Sequence, residues 1–250
     1  MLKAVVIGMQ YFLDTVETIP DGQGFALFGA THLASLGLFV LLAAAACLWY
    51  RRQSAARRRG VLRLMAALLL ADELFKHACL LIGGNWLPDY LPLHLCSINI
   101  FLIVVYVLRP SHTLANFLYA ACLPGALAAL LTPTWQPLPV GNFMYLHSTS
   151  IHYLLALFPL LLLTSGELRR DWRTIPKSLA LLCVLAVPIG LLDHALGLNF
   201  MFLNWAPEGT PLVWFETHWG SHLLGFPVLL TAVLAVMYLP LPQKRVPAGK

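Results

Sequence analysis

A cysteine and a histidine lie two residues apart in the stretch Leu91-Pro-Leu-His-Leu-Cys-Ser-Ile-Asn99, which opens an apolar run that reaches Leu108. A thiolate is a nucleophile, and a nearby imidazole can take the thiol proton, which is the arrangement that acyl transfer through a thioester needs. His94 points to a different helix face from Cys96, so we expect the base on another helix, where His152 lies at a similar depth. Spacing also allows an inert cysteine beside histidines that bind backbone carbonyls.

A second pattern is His218-Trp-Gly-Ser-His222, in which two histidines are four residues apart. On a continuous helix they share one face and could bind one metal ion, with His147, His152, Asp193 or His194 as further ligands. The pattern therefore predicts, as an alternative, a zinc-bound water that hydrolyses lipids. Two histidines near a membrane interface, without a metal, fit the same spacing.

A third pattern is the charged run Asp72-Glu73-Leu-Phe-Lys76-His77 inside an otherwise apolar stretch. Asp72 and Lys76 lie one helical turn apart, as do Glu73 and His77, so their charges can neutralise one another. The run fits a proton relay, a clamp for a lipid head group or a paired structural cluster. It also keeps open a proton-coupled transporter or a small-ligand-binding membrane protein.

Composition shows which elements must hold these residues. Of 250 residues, 59% are hydrophobic and 11% are charged, against about 25% charged residues in soluble domains. The chain is therefore expected to be a polytopic membrane protein. The net charge of +5 comes with no nucleic-acid motif, and the five cysteines form no CxxC pair, so neither nucleic acid nor a disulfide framework is indicated.

The hydropathy pattern predicts an all-α, seven-transmembrane-helix bundle, since each crossing needs about 20 apolar residues. The predicted spans are 26–49, 60–83, 91–109, 112–132, 143–165, 174–197 and 212–240. Residues 1–24 are expected to form an interfacial amphipathic segment, 25–241 the transmembrane domain and 242–250 a cytoplasmic tail.

Basic residues predict the orientation. Fourteen of the sixteen Lys and Arg residues lie in or beside alternate connections, and these connections are expected on the cytoplasmic side. The N-terminus is then outside and the C-terminus cytoplasmic, in the inner membrane if the protein is bacterial. This topology puts every histidine except His112 in the outer half of the bilayer and predicts a polar cavity there.

Several of these stretches resemble one protein family. They are Phe28-Gly-Ala-Thr-His32, Leu91-Pro-Leu-His-Leu-Cys96, Pro124-Gly-Ala, His152, and Asn199-Phe-Met-Phe-Leu with Pro207-Glu-Gly. They resemble the YwaF family of bacterial membrane proteins, which is similar to eukaryotic transmembrane protein 164. The resemblance implies a seven-helix bundle and an acyltransferase acting on membrane phospholipids, with Cys96 as nucleophile and His152 as base.

The leading hypothesis is therefore a lipid acyltransferase whose partners are membrane phospholipids or other acyl lipids. It needs no cofactor, whereas the hydrolase alternative needs zinc. The residues expected to line the cavity are His94, Asn99, His147, His32, Lys76, His77, Asn199 and Asp193. The pattern does not indicate an oligomeric state.

Overall fold

A computed structural model describes residues 9–207 and 210–239, and all regular secondary structure in those two ranges is helical. The α-helices are α1 (Ala30–Tyr50), α2 (Ala55–Gly83), α3 (Leu95–Leu108), α4 (His112–Phe117), α5 (Leu123–Leu131), α6 (Phe143–Ser165), α7 (Ile175–Leu196), α8 (Pro211–Trp219) and α9 (Gly225–Tyr238). A π-helix, Leu118–Cys122, joins α4 to α5. The predicted all-α fold is confirmed.

Five segments are long and apolar enough to cross a bilayer, namely Ala30–Tyr50, Pro88–Leu108, His112–Leu131, Phe143–Ser165 and Trp172–Leu196. A sixth is obtained if the bent pair α8 and α9 counts as one span. Helix α2 has 29 residues, enough for about 44 Å at roughly 1.5 Å per residue. It contains too many charged residues to count as a membrane span by its composition. The protein is an integral membrane protein, while seven crossings and their orientation remain predictions.

Helix α6 is at the centre of the bundle. It packs against α1, α2, α3 and α5, and its Phe143 and Phe158 side chains are fully buried. Lipid tails are as apolar as these side chains, so close packing and hydrogen bonds between helices, rather than exclusion from water, hold such a bundle together. Polar residues on the inner faces of α2, α3 and α6 therefore need hydrogen-bond partners within the protein.

The helix order places alternate connections at opposite ends of the bundle. One end, called here the basic end, joins α1 to α2 and α6 to α7, and there Glu167 accepts a hydrogen bond from Tyr50 at 2.8 Å and lies 3.9 Å from Arg58. The other end, called the histidine end, holds the connections 84–94, 132–142 and 197–210. Helices α3 and α6 begin there, at Leu95 and Phe143, and α2 ends there.

The N-terminal segment closes the histidine end. Asn142 donates hydrogen bonds from Nδ2 to the carbonyl oxygens of Tyr11 and Asp14, at 2.7 and 2.8 Å, and Asn85 donates to that of Leu13 at 2.9 Å. These bonds tie residues 11–14 to two connections of the bundle.

The interfacial amphipathic segment expected over residues 1–24 stays a prediction. Residues 11–13 form a turn, and the apolar side chains of Phe12 and Leu13 pack against the bundle core. Residues 1–8 and the predicted tail 242–250 lie outside the described residues.

Gly24 lies where this segment crosses the connection 132–142. A Cβ atom at Gly24 would be 2.0 Å from the carbonyl oxygen of Gln136 and 2.5 Å from the carbonyl carbon of Pro137. Both are backbone atoms and cannot rotate away. The neighbouring Phe25 N–H donates to the Gln136 carbonyl at 3.0 Å. This hydrogen bond holds the N-terminal segment against the connection 132–142.

We expect Gly24→Ala to lower the free energy of unfolding by about 2 kcal/mol because the N-terminal segment has to move away from Gln136. Thermal unfolding of the purified protein in detergent measures the change. The matched control is Gly60→Ala, since a Cβ at Gly60 meets nothing within 4 Å and alanine favours a helix interior. Equal Tm values for the two variants would contradict the described contact.

The last apolar stretch is broken. Helices α8 and α9 meet at an angle of 117°, because Gly220 has a φ of +75° and ends α8, after which Ser221 caps a new turn. The prediction of one continuous helix over 212–240 is therefore wrong. His218 lies in the last turn of α8 and His222 lies beyond the break, so the expectation that they share one helix face is also wrong.

Candidate active site

Cys96 is the second residue of α3, at a helix terminus that no side chain caps. The first helical hydrogen bond of α3 runs from Ile98 N–H to the His94 carbonyl. The N–H groups of Leu95, Cys96 and Ser97 therefore have no acceptor among the described residues. A helix N-terminus with free N–H groups attracts negative charge, so this position favours an oxyanion on a bound molecule.

Asn99 lies one turn after Cys96 on the same face of α3. Its side chain is 2% exposed, and its Oδ1 atom makes no hydrogen bond within the described ranges. A buried amide without a partner costs free energy that a well-paired amide does not. The Asn99 amide oxygen is therefore available to accept a hydrogen bond from a bound molecule that approaches Cys96.

Glu73 and Lys76 are charged side chains of α2, the helix that packs against α3. They form a buried ion pair in which Lys76 Nζ is 2.5 Å from Glu73 Oε1, and Lys76 also donates to the Tyr90 carbonyl at 3.1 Å. The expected pair Asp72 with Lys76 is not formed, because Asp72 faces α6 rather than Lys76.

Helix α6 completes this polar group. The two nitrogens of the His147 ring lie 3.5 Å from Asp72 Oδ1 and 3.8 Å from Glu73 Oε2. Ser150 donates a hydrogen bond to Asp72 Oδ2 at 2.8 Å. His77 lies 3.3 Å from Glu73 Oε1, so the expected pair Glu73 with His77 is present. We call Asp72, Glu73, Lys76, His77 and His147 the charge cluster.

A hydrogen bond links the carboxylate of Glu17, in the N-terminal segment, to the same region. Tyr90, whose carbonyl binds Lys76, donates its hydroxyl to Glu17 Oε2 at 2.6 Å. Burial raises the pKa of the Glu17 carboxyl, but hydrogen bonds from Tyr90 and Thr15 outweigh burial, and the net direction is a lowered pKa. Glu17 is therefore held as a carboxylate at the edge of the charge cluster.

His152, the predicted base, is 8% exposed on α6. Its Nδ1 atom lies 2.6 Å from the Ser148 carbonyl oxygen, and its ring stacks on Trp135 at 5.1 Å. A carbonyl oxygen only accepts, so Nδ1 carries the proton and Nε2 carries the lone pair. Nε2 has no hydrogen-bond partner in the described part of the chain, and no hydrogen bond joins His152 to Cys96 there.

His94 connects Cys96 to the turn between α7 and α8. The Met201 N–H donates to His94 Nδ1 at 3.3 Å, and the His94 ring packs against Phe200 and Phe202 at 5.2 and 5.7 Å. Met201 and Phe202 have φ values of +54° and +59°, in the left-handed region that these residues rarely adopt. Two of the stretches that carry the family resemblance thus contact each other.

Three other predicted residues lie away from Cys96 or support the fold. Both ring nitrogens of His32 are occupied, by Phe28 N–H at 3.0 Å and the Leu130 carbonyl at 2.8 Å. The Asn199 side chain binds the backbone of Asn204 and Trp205. Asp193 is fully buried, and neither carboxylate oxygen has a hydrogen-bond partner in the described residues.

The residues of the predicted zinc site are spread apart. His218 is exposed and stacks on Trp214 at 4.5 Å, whereas His222 is 5% exposed and donates to the Phe202 carbonyl at 3.1 Å. His194 is exposed at the end of α7. Within residues 9–207 and 210–239, no group of three or more His, Cys, Asp or Glu side chains is arranged to hold a metal ion.

Several of the polar side chains predicted to line a cavity are closely packed in the described part of the chain. Two cavities lie elsewhere among the described residues, and Cys96 lines neither of them. One of these is small and lies at the histidine end, beside His32, Trp135 and Tyr145. The other is apolar and lies between the π-helix, α7 and α9.

Sequence reasoning missed Ser150 and Trp135. A serine in a helix often donates to a backbone carbonyl of its own helix. Ser150 donates to the Leu146 carbonyl in this way and also binds Asp72. A serine at this position in the sequence therefore does not indicate a contact with another helix. Trp135 lies in a connection, where tryptophan is typical of a membrane interface.

In the comparisons with known proteins, the model of the TMEM164 family matches residues 27–238, which include the helices α1 to α9 of the described chain. No curated protein and no solved structure matches the chain.

Proposed function

The chain belongs to the TMEM164 family, and from this premise we propose that it is a membrane lipid acyltransferase that carries the acyl group on Cys96. The observation that carries the proposal is the position of Cys96 at the uncapped start of α3, one turn from the unpaired amide of Asn99. The partners we propose are membrane phospholipids or other acyl lipids.

The first half of the reaction forms a thioester. The Cys96 thiol gives its proton to Nε2 of His152, and the sulfur attacks the carbonyl carbon of a lipid ester. When the tetrahedral intermediate collapses, the bond between that carbon and the ester oxygen breaks. The leaving lysolipid oxygen takes the proton from His152, so atoms and charge balance.

The second half reverses these steps with a different alcohol. A lipid hydroxyl gives its proton to His152 and attacks the thioester carbonyl, and the carbon–sulfur bond breaks as the sulfur regains the proton. The neutral His152 supports this role because its hydrogen bond to Ser148 leaves the lone pair on Nε2. Approach of Cys96 and His152 to hydrogen-bonding distance is then part of substrate binding.

Donors for the oxyanion are already present near the sulfur. The first-turn N–H groups of α3 are free in the described chain. His94 adds a further donor, since its Nδ1 accepts from Met201 N–H and the ring proton must therefore be on Nε2. Such preorganised donors stabilise charge that develops only in the transition state.

Mass spectrometry of the intact protein, purified with its lipids, tests this proposal. We expect a covalent acyl mass that neutral hydroxylamine removes, because hydroxylamine cleaves thioesters, and peptide mapping should place it on Cys96. Cys183, which is exposed on α7, is the internal control for non-enzymatic acylation. An acyl group on Cys183 but never on Cys96, in protein supplied with acyl lipids, would overturn the proposal.

A proton-coupled transporter or binding protein is a second candidate, supported by the buried charge cluster of α2 and α6. It predicts proton flux into vesicles that contain the purified protein. The acyltransferase predicts lipid conversion without such flux.

A further inference from the structure

We propose that the groove between the π-helix, α7 and α9 binds a diacyl phospholipid, with the Ser178 hydroxyl on an ester carbonyl and the Arg170 guanidinium at the phosphate. We call it the lipid groove. It lies toward the basic end of the bundle, where α7 begins, whereas Cys96 lies at the histidine end, where α3 begins. The site is therefore separate from the one at Cys96 and does not depend on the proposed function.

The floor of the lipid groove follows from a proline. Pro124 has no N–H, so the carbonyl of Ala120, four residues earlier, has no helical donor there. The chain forms the π-helix Leu118–Cys122, whose backbone bonds span five residues rather than four. This turn carries Ala120 and Ala121 into the lining of the groove. Two small side chains leave its floor recessed.

Helices α7 and α9 form the walls. Helix α7 packs against α4 near its start and against the turn Phe200–Phe202 near its end, and 11% of the residues in its apolar stretch are buried. Between these contacts the lining is apolar and includes Leu179 and Leu182 of α7 and Leu234 of α9. Because the chain is an integral membrane protein, this surface meets the hydrocarbon of the bilayer. An acyl chain matches its chemistry.

Ser178 is the polar side chain of this lining. It is 8% exposed, and its hydroxyl oxygen is buried without a hydrogen-bond partner in the described part of the chain. A helical serine often donates to a carbonyl three or four residues earlier, as Ser165 does toward Leu162. Ser178 makes no such bond within those residues, so its hydroxyl is left for an acceptor that enters the groove.

The depth of Ser178 suits a lipid ester. Ser178 is the fourth residue of α7, about 4.5 Å along the helix axis from its start at roughly 1.5 Å per residue. The ester carbonyls of a phospholipid lie at the border between the head groups and the hydrocarbon core, which is the depth expected so close to the start of a membrane helix.

Arg170 lies beside the groove at the basic end. Its guanidinium donates to the Met237 carbonyl of α9 at 3.5 Å, and Met237 follows the lining residue Leu234 by three residues. A guanidinium has five N–H donors and binds phosphate oxygens well. One donor is used by Met237, so the others are available to a phosphate at the membrane surface.

No carboxylate among the described residues lies within ion-pair distance of Arg170. The two acidic residues of the connection 166–174 have other neighbours, since Glu167 lies 3.9 Å from Arg58 and Asp171 lies 3.3 Å from His112. Helices α4 and α9 contain no acidic residue, and the acidic residue of α7 is near its opposite end. The charge beside the groove is therefore positive and complements an anionic group.

These features follow the order of groups in a phospholipid. From the basic end inward they are a cation, a buried hydroxyl donor and an apolar lining, which match a phosphate, an ester carbonyl and an acyl chain. A free phosphate would leave Ser178 and the apolar lining without a partner, and a diacylglycerol would leave Arg170 without one. A phospholipid provides a partner for all three.

Native mass spectrometry of the full chain in detergent micelles, titrated with defined lipids, tests the proposal. The probes are dipalmitoyl phosphatidylglycerol, its dialkyl ether analogue without ester carbonyls, and dipalmitoylglycerol, which has no phosphate. We expect the ester phospholipid to bind about fivefold more tightly than the ether analogue, the effect of one neutral hydrogen bond. We expect it to bind about tenfold more tightly, or more, than the diacylglycerol, because the bond to phosphate is charged.

Each variant should remove one preference. Ser178→Ala should bind the ester and ether phospholipids equally and still prefer both to the diacylglycerol. Arg170→Gln should lose the preference for phosphate and keep the preference for the ester. The matched controls are Ser165→Ala and Arg173→Gln, which remove a hydroxyl and a cation at the same end of the bundle and should change neither preference.

Ala121→Phe fills the floor of the groove without changing a polar group and should weaken binding of the ester phospholipid. Wild-type protein that does not distinguish the probes, or equal losses in the control variants, would overturn the proposal. So would a mass of two chains in place of bound lipid, because a second copy would then cover the groove.

Cys96→Ala separates this site from the proposed function. We expect both preferences to be unchanged in this variant, and their loss would place the lipid at Cys96 and overturn the lipid groove. If instead no thioester forms on Cys96 in the wild-type protein, the proposed function fails while both lipid preferences are still measured.

Discussion

Cys96→Ala is expected to reduce acyl transfer between lipids by roughly a thousandfold or more, which is the scale of loss when a covalent nucleophile is removed. Cys96 is half-buried and forms no hydrogen bond with a side chain of the described chain, so its removal should change the Tm little. The measurement is transfer of a labelled acyl chain in vesicles, together with thermal unfolding of the same sample.

Cys122→Ala is the matched control. Cys122 is buried in the π-helix and donates to the Leu155 carbonyl at 3.4 Å, but it has no free helix N-terminus beside it. We expect this variant to keep its transfer activity. Undiminished transfer by Cys96→Ala would contradict the thioester mechanism, and transfer lost in both variants would show that the loss is not specific to the nucleophile.

Lys76→Met is expected to lower the free energy of unfolding by about 3–5 kcal/mol, the usual effect of removing one partner of a buried ion pair. Lys76 is 2.5 Å from Glu73 Oε1 and also binds the Tyr90 carbonyl. Without it, Glu73 is a buried carboxylate whose cationic partner is missing. Thermal unfolding in detergent, with the Tm shift compared across variants, measures the cost.

The double variant Glu73→Gln with Lys76→Met removes both charges and should recover most of the lost stability. Arg63→Met is the control for a lost cation on the same helix, since Arg63 is exposed and such surface changes are usually within about 0.5 kcal/mol. If the double variant were no more stable than Lys76→Met, the Glu73–Lys76 pair would not be the cause.

Hydropathy predicted the positions of most helices because a crossing segment must satisfy its own backbone and needs a minimum apolar length. The break at Gly220 was not predictable in this way. An average over many residues does not register that one glycine adopts a positive φ.

The rotation of each helix about its axis was the other missing information. Apolar residues face both the lipid and the bundle interior, so the pattern does not show which side of α2 faces α6. Sequence spacing therefore paired Lys76 with Asp72. In the structure Lys76 binds Glu73, and Asp72 lies beside His147 of α6. It identified Cys96, His152 and the charged run, but not how they are arranged.

The turn Phe200–Phe202 has a mechanical consequence. His94 accepts from Met201 N–H on one side of the turn, and His222 donates to the Phe202 carbonyl on the other. Two consecutive left-handed residues cost about 1–2 kcal/mol each, and these two bonds hold them in place. We expect the turn to open all at once rather than by degrees, because releasing either histidine frees the stored strain. His94 is two residues before Cys96. The turn would therefore hold the first residues of α3 in position as long as it is closed.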